Sequence, residues 1–445
     1  MKRKTLTLIV ALSLSAALVL TACGGGGNAD SPAPAPAPAP APSAPSGDTG
    51  AVEEISGTLT MALLATMEPG MKVLIENFNQ VYPNVVCDFE FISDNQAYNT
   101  QIPTRFSGGN GTDLVYVLAS STPTGARRFV EAGFLMDLSD QPWVSSMFPD
   151  LKRFFTFDDQ VYAKDFGMSA LACLHYDKDF FAELGLSPPQ TWDELLDACA
   201  KIKEAGRIPL AWGGGVPAIN TNNMGAMSGS VVFSKHPNWF EDRLAGNTTF
   251  VDTPEWRIAF SQLKELIDLG YLSPGAASMK QADMVAEFAD GRAAMMMTYG
   301  GTSALAKEQQ PDLNPGLVTY PGLTAADTRQ VLQASGAVGI WVNTKNEAAA
   351  KAFLEFWAQP EQQDMFAIAG NIISSNMANT GQLSPAYEGL APLFQEGKTI
   401  PDLVARWPNA TFSDNFGTSL QGLFTGQKTV DDCLVDADAA WDAPE

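Results

Sequence analysis

Histidine, the side chain most often used to move protons near neutral pH, occurs only twice, at His175 and His236. His175 lies in an apolar run that reads as a strand, where a satisfied structural role is expected of it. The chain has no H-E-x-x-H zinc helix, no G-x-S-x-G nucleophile elbow and no G-x-x-x-x-G-K-[ST] phosphate loop. Its 50 acidic residues could still hide a glycosidase pair, since that chemistry needs only two carboxylates roughly 5–9 Å apart. Cys87, Cys173, Cys199 and Cys433 form no C-x-x-C pair and no metal-ligand spacing. They read as small buried hydrophobes, with one or two disulfides open to them in an exported chain. No catalytic residue, metal or cofactor is therefore expected.

One cysteine has a chemical context. Met1-Lys2-Arg3-Lys4 precedes an apolar run, Leu6 to Leu20, which is too short to span a membrane and reads as a secretory signal. The closing Leu20-Thr21-Ala22-Cys23 resembles a bacterial lipobox, in which the peptide is cut before the cysteine and its thiol takes a lipid. Residues 1–22 are thus a lipoprotein-type signal peptide. Residues 23–56, with Gly24 to Gly27 and a Pro-Ala repeat, are a disordered linker beginning at lipidated Cys23. About 35 residues of such a leash reach roughly 30 Å as coil. It would hold the protein at the outer face of the cytoplasmic membrane, or at a membrane facing the periplasm.

About 390 residues follow, enough for two or three domains. At 45% hydrophobic residues they can build real cores. A formal charge of −23 opposes binding to nucleic acid or to an anionic bilayer.

Periodicity then sets the elements. Strands are expected at 57–66, 85–92, 113–120, 208–211, 293–300 and 337–343, with Met295 to Met297 in the core. Between them run helices. Residues 70–82 should bury Val73, Leu74, Phe78 and Val81, and Thr191 with Glu194 forms a capping box for the helix ending at Gly206. Thr253-Pro254 opens another helix, 346–358 carries Phe353, Phe356 and Trp357, and 429–441 ends the chain. Strands alternating with helices imply an α/β fold with a mostly parallel sheet.

Four stretches resemble the bacterial extracellular solute-binding proteins of ATP-driven sugar importers, the maltose-binding-protein-like family. They are YDKDFFAELGLSPPQTWDELLDACAKIK (176–203), MVAEFADGRAAMMMTYGG (284–301), AVGIWVNTKNEAAAKAFLEFWAQPEQQ (337–363) and LFTGQKTVDDCLVDADAAW (423–441). The resemblance implies a two-lobe periplasmic-binding-protein-like fold with discontinuous lobes and a hinge. The chain would cross near Ser169, Gly336 and Pro385, giving an N-terminal lobe of 57–168 plus 338–384. The C-terminal lobe would hold 170–335 plus 385–445. It also implies a monomer that closes over a carbohydrate, expected to be an oligosaccharide, and presents it to the transmembrane subunits of an ABC permease.

A sugar offers C–H faces and hydroxyls, so its pocket calls for aromatic planes and hydrogen-bonding side chains at the ends of strands. The residues so placed are Glu68, Ser120, Ser121, Ser169, Trp212, Asn220, Tyr299, Gly301, Phe412 and Asp414, with Trp407 in reserve. Where the family commonly continues N-G-P-W, this chain has Tyr299-Gly300-Gly301-Thr302, which replaces the stacking tryptophan. Two rivals remain. A non-sugar solute such as a polyol phosphate would call for an Arg or Lys cluster near the cleft, and a surface-anchored glycosidase would turn its substrate over.

Overall fold

The opening apolar run pairs as a strand along its whole length, and thirteen others follow it among the described residues. The structure, a computed structural model, describes residues 55–119, 123–376, 382–400, 406–408 and 411–443. The expected signal peptide, Cys23, most of the linker, Ser120 and Ser121 lie outside the described residues.

In chain order the strands are β1 (Gly57–Leu64), β2 (Val85–Ile92), β3 (Leu114–Val117), β4 (Thr156–Phe157), β5 (Gln160–Val161), β6 (Lys164–Asp165) and β7 (Met168–Ala170). Then come β8 (Cys173–Asp177), β9 (Ile208–Ala211), β10 (Ala293–Thr298), β11 (Pro315–Val318), β12 (Gln330–Ala334), β13 (Ala337–Ile340) and β14 (Thr399–Ile400). They form three sheets, ordered β2-β1-β3-β13-β6, β11-β8-β10-β9 and β14-β12-β7, plus the hairpin β4-β5. The expected parallel pairing holds for β1 with β2 and β3, for β9 with β10 and for β12 with β14. Elsewhere the sheets are antiparallel, because β8 and β13 run against both of their neighbours.

Helices end where their caps dictate. Thr429 and Asp432 make a reciprocal capping box for helix Val430–Trp441. The Thr191 side chain caps Glu194 N at 3.3 Å, but the Glu194 carboxylate reaches back to Gln190 N instead of Thr191 N. Helix Glu68–Val81 buries Met71, Leu74 and Phe78, while Val81 is exposed. Tyr82, stacked on Phe78 with centroids 4.7 Å apart, takes the place expected of Val81.

Three apolar clusters result. One surrounds the first sheet and includes Phe78, Tyr116, Phe166 and Trp357. Another surrounds the second sheet and includes Trp192, Trp212, Met295 and Trp256. A smaller one gathers Leu151, Met168, Leu332, Ile373, Tyr387 and Leu390. Cys173, Cys199 and Cys433 are buried as free thiols, Cys87 is half-buried, and no disulfide forms among them.

Asp113 locks the first sheet at its edge. Its Oδ2 accepts from Thr60 N and Thr60 Oγ1 at 2.8 and 2.6 Å, and its Oδ1 from Thr344 Oγ1 and Asn346 Nδ2 at 2.5 and 3.2 Å. Burial pushes this carboxyl up, but the four donors outweigh it and hold it below the ordinary aspartate value.

Two short passages connect the first sheet to the third. β6 runs into β7 through Gly167, and β12 runs into β13 through Gly336. Both glycines have left-handed backbones, φ +112° and +114°. A Cβ on Gly167 would lie 2.4 Å from Ile373 O, and one on Gly336 would lie 2.3 Å from the Tyr116 ring. Neither position admits a side chain without strain. Beside them Lys164 and Asp165 form an ion pair, Nζ–Oδ2 3.2 Å, with both side chains at least 97% out of solvent.

Replacing Gly336 with alanine is expected to destabilise the protein by at least about 2 kcal/mol, through the forced φ and the clash with Tyr116. Urea denaturation checks it, and an unchanged midpoint would refute the steric argument.

Candidate functional site

The methionine strand β10 is fully buried and delivers Tyr299 at its carboxyl end. What fixes Tyr299 is the neighbouring strand. Antiparallel register sets Met296 opposite His175 on β8, and His175 Nε2 donates to the Tyr299 carbonyl at 2.9 Å. Because a carbonyl can only accept, Nε2 carries the proton and Nδ1 is left as an acceptor. Nδ1 is buried and has no partner among the described residues. The expectation of a satisfied His175 is therefore met on one nitrogen and corrected on the other. Burial drives its pKa down to about 4, against the opposing pull of the Tyr299 and Thr298 carbonyls. The ring is neutral at pH 7.

The Tyr299 ring is half-buried, and its hydroxyl accepts from Asn222 Nδ2. Burial raises the phenol above its ordinary value, so the hydroxyl keeps its proton. Asn222 belongs to helix Pro217–Ser228, whose opening turns carry the polar run Asn220-Thr221-Asn222-Asn223 inside the protein. Asn223 Nδ2 donates to Met297 O at 3.1 Å, and Thr221 Oγ1 donates to Ser413 O at 2.7 Å. The run thus stitches this helix to β10 and to helix Phe412–Thr425.

After Tyr299 the chain turns against β7. A Cβ on Gly300 would fall 3.0 Å from Ala170 Cβ, so Tyr299 and Gly301 flank a residue seated on that strand. On β7, Met168 and Ala170 join the apolar cluster that also holds Leu332 and Ala334 of β12. Ser169 and its register partner Gln333 alternate to the opposite face. Both are half-buried, as is Ser335. Gln333 Oε1 and Ser335 Oγ are buried without a partner, while the Ser335 carbonyl accepts from Tyr116 Oη at 3.0 Å. Asp165 Oδ1, on the adjoining passage, is likewise unpartnered.

Of the expected site residues, the structure gathers Ser169, Tyr299 and Gly301 around one turn. Sequence reasoning missed Asn222, Gln333 and Ser335. A signal for Asn222 existed, since four consecutive polar residues between Ile219 and Met224 suit no solvent-facing helix stripe.

Three expectations are corrected. Trp212 has no accessible face: it lies in the second cluster beside Phe424, and its Nε1 donates to Asn220 Oδ1 at 2.9 Å. Asn220 is also fully buried, and its Nδ2 serves the carbonyls of Gly214 and Gly417 at 2.9 and 3.2 Å. Both of its polar atoms are used, which makes it framework. Phe412 is fully buried between Trp407 and Phe416, at centroid distances of 4.5 and 5.2 Å. Asp414 is exposed in the first turn of its helix. Glu68 begins helix Glu68–Val81 and pairs with Lys72 at 2.7 Å, on a partly exposed turn. Trp407 is half-buried, with its Nε1 unpartnered.

Comparison with known proteins places this geometry. Residues 64–364 match the family model described as bacterial extracellular solute-binding protein. A chain of Brucella abortus (strain 2308), named only as a binding protein, is 26% identical over 422 residues, covering 90% of this chain and 94% of its own. The multiple sugar-binding protein of Streptococcus mutans is 21% identical over 360 residues, covering 79% and 82%. Among solved structures, RafE in complex with raffinose superposes with a TM-score of 0.68 at 20% identity, covering 87% of this chain and all of that one.

His175 generates a pH dependence. Below its ordinary pKa of 6.5 the unfolded chain takes up a proton that the folded ring refuses until about pH 4. Stability therefore falls as pH drops through that window, by on the order of 3 kcal/mol. Urea titrations at pH 7 and 4.5 should show the loss in the parent and most of it abolished in His175→Gln. An equal loss in both would put its origin elsewhere.

Proposed function

The chain belongs to the bacterial extracellular solute-binding protein family, and from that premise we propose that it captures a carbohydrate between two lobes and hands it to an ABC permease. The lobes in this reading are 57–168 with 338–384 and 170–335 with 385–445, joined by the passages at Gly167 and Gly336. A signal peptide ending at Ala22 and a lipid on Cys23 would moor a monomer to the cell surface. No step of chemistry is assigned to it.

The observation that carries the carbohydrate reading is the cluster of Tyr299, Asn222, Ser169, Gln333 and Ser335 beside those passages. It offers an aromatic ring and uncharged donors and acceptors. Two of its buried oxygens, Gln333 Oε1 and Ser335 Oγ, have no partner among the described residues. Hydroxyl groups of a sugar satisfy such atoms, and leaving them bare costs about 1–3 kcal/mol each. Gly301 opens space next to Tyr299, since a Cβ there would meet nothing within 4 Å. A pocket of this kind binds neutral polyhydroxylated molecules better than ions. Ser120 and Ser121, which lie outside the described residues, and Glu68 and Asp414 enter the reading as further candidate contacts.

A thermal-shift and calorimetric panel of raffinose, stachyose, maltotriose and chitin oligomers, with amino acids and phosphates as controls, tests it. At least one sugar should raise the melting temperature and bind stoichiometrically without turnover. Asn222→Ala and Tyr299→Ala should each weaken that sugar about tenfold or more, since each removes roughly 1.4 kcal/mol or more of contact. Hits confined to amino acids or phosphates would remove the sugar assignment, and product formation would favour the hydrolase.

A further inference from the structure

A concavity of about 430 Å³ runs along the free edge of the second sheet, from Gly301 to Lys178. It is bounded by the ends of β8 and β11, by helix Ser303–Gln309 and by the turn Pro385–Leu390. Register fixes where it lies. Thr298, at the carboxyl end of β10, pairs with Cys173, whereas Lys178 follows the opposite end of β8. The groove therefore begins at Gly301, two residues after Tyr299, and runs along the sheet edge to Lys178 at the far end.

Its charge is unusual for this molecule. The chain carries 50 acidic and 27 basic residues, yet Lys178 and Lys307 both line this groove and neither enters an ion pair among the described residues. Glu388 is the groove's only acidic side chain, is exposed, and pairs with neither of them. Around the lysines stand hydroxyl and amide groups. The half-buried Tyr176 has its ring against Gly316, Ser303 is nearly buried, and Asn371 accepts from Ser384 Oγ at 2.8 Å through Oδ1. That last bond leaves the Asn371 amide hydrogens available to a ligand.

We propose that this groove, which shares Gly301 with the cluster around Tyr299, binds a small hydroxylated anion, a uronic acid or a polyol monophosphate, with the anionic group held at its lysine end. Lys178 and Lys307 hold the anionic group, and Tyr176, Ser303 and Asn371 bond the hydroxyls. Glu388 at the rim disfavours a second anionic group. The volume suits a molecule of monosaccharide size. Asn371 follows the helix Pro360–Ala369 while the other contacts come from the second sheet and its surroundings, so an occupant bridges distant parts of the chain.

Calorimetric titration of the purified chain with glucuronate, glycerol 3-phosphate, inorganic phosphate and glucose tests this. The first two should bind and weaken as salt is raised, inorganic phosphate should bind less tightly, and glucose should not need the lysines. Lys178→Gln with Lys307→Gln should weaken anion binding about tenfold or more, and Lys→Arg at both positions should restore it. Both lysines are exposed, so the double variant should keep its melting temperature. Asn222→Ala should leave anion binding intact while impairing the sugar site. Absence of anion binding up to about 10 mM would overturn the proposal. So would anion binding that Asn222→Ala abolishes and the double variant keeps, which would place the anion beside Tyr299.

Discussion

Two strand passages, lying side by side and running in opposite directions, are the constraint on which the architecture rests. At Gly167 and Gly336 the backbone takes a conformation open to glycine alone and passes within contact distance of Ile373 and Tyr116. Their direction is therefore set by sterics and not by any ligand. Because β13 arrives through one of them, the first sheet is completed only by a strand more than 170 residues downstream of β6. Neither stretch of sequence builds that sheet alone.

The same passages carry unsatisfied polarity. Other buried polar groups are fully used: Asn220 spends both of its polar atoms on Trp212 and two carbonyls, and Asp113 accepts four hydrogen bonds. Beside the passages, Gln333 Oε1, Ser335 Oγ and Asp165 Oδ1 are buried and bare. A fold tolerates such atoms where something outside the chain completes them. Trp212 and Asn220 are the right types for sugar recognition yet are buried with their polar atoms in use, whereas Gln333 carries no aromatic or charged label and keeps a bare buried oxygen.

This explains what could be read from the chain and what could not. Element positions were legible because periodicity and capping residues are local: Thr429 starts its helix as expected, and the strands at 85–92 and 208–211 match residue for residue. Val81 misled because helical phase cannot say that Tyr82, one residue on, folds back over Phe78. The antiparallel strands misled because local pattern does not report which distant strand arrives beside which. Tyr299 could be picked out because it ends an apolar strand. Gln333 could not, since its place depends on a register between β7 and β12, and the polar run that marks Asn222 does not disclose its contact across 77 residues. Trp212 failed for the converse reason: its position after a strand was right, but burial is decided by helices packed from elsewhere in the chain.

Electrostatics then divides the molecule's binding chemistry. Around Tyr299 the side chains are uncharged, His175 behind it is held neutral by burial, and the Lys164–Asp165 pair nearby cancels itself. An ion brought there would lose its hydration with no countercharge to replace it, a penalty of several kcal/mol for a group of that kind. A neutral polyol loses only hydrogen bonds, which Gln333, Ser335 and Asn222 can return. The two unpaired lysines stand instead along the far edge of the second sheet, where solvent access keeps their charge inexpensive. A protein of strongly negative overall charge repels anions at long range, so selectivity for them must come from such local groups and weakens within a Debye length of about 10 Å. The cationic side chains thus stand along this groove and not among the uncharged groups around Tyr299.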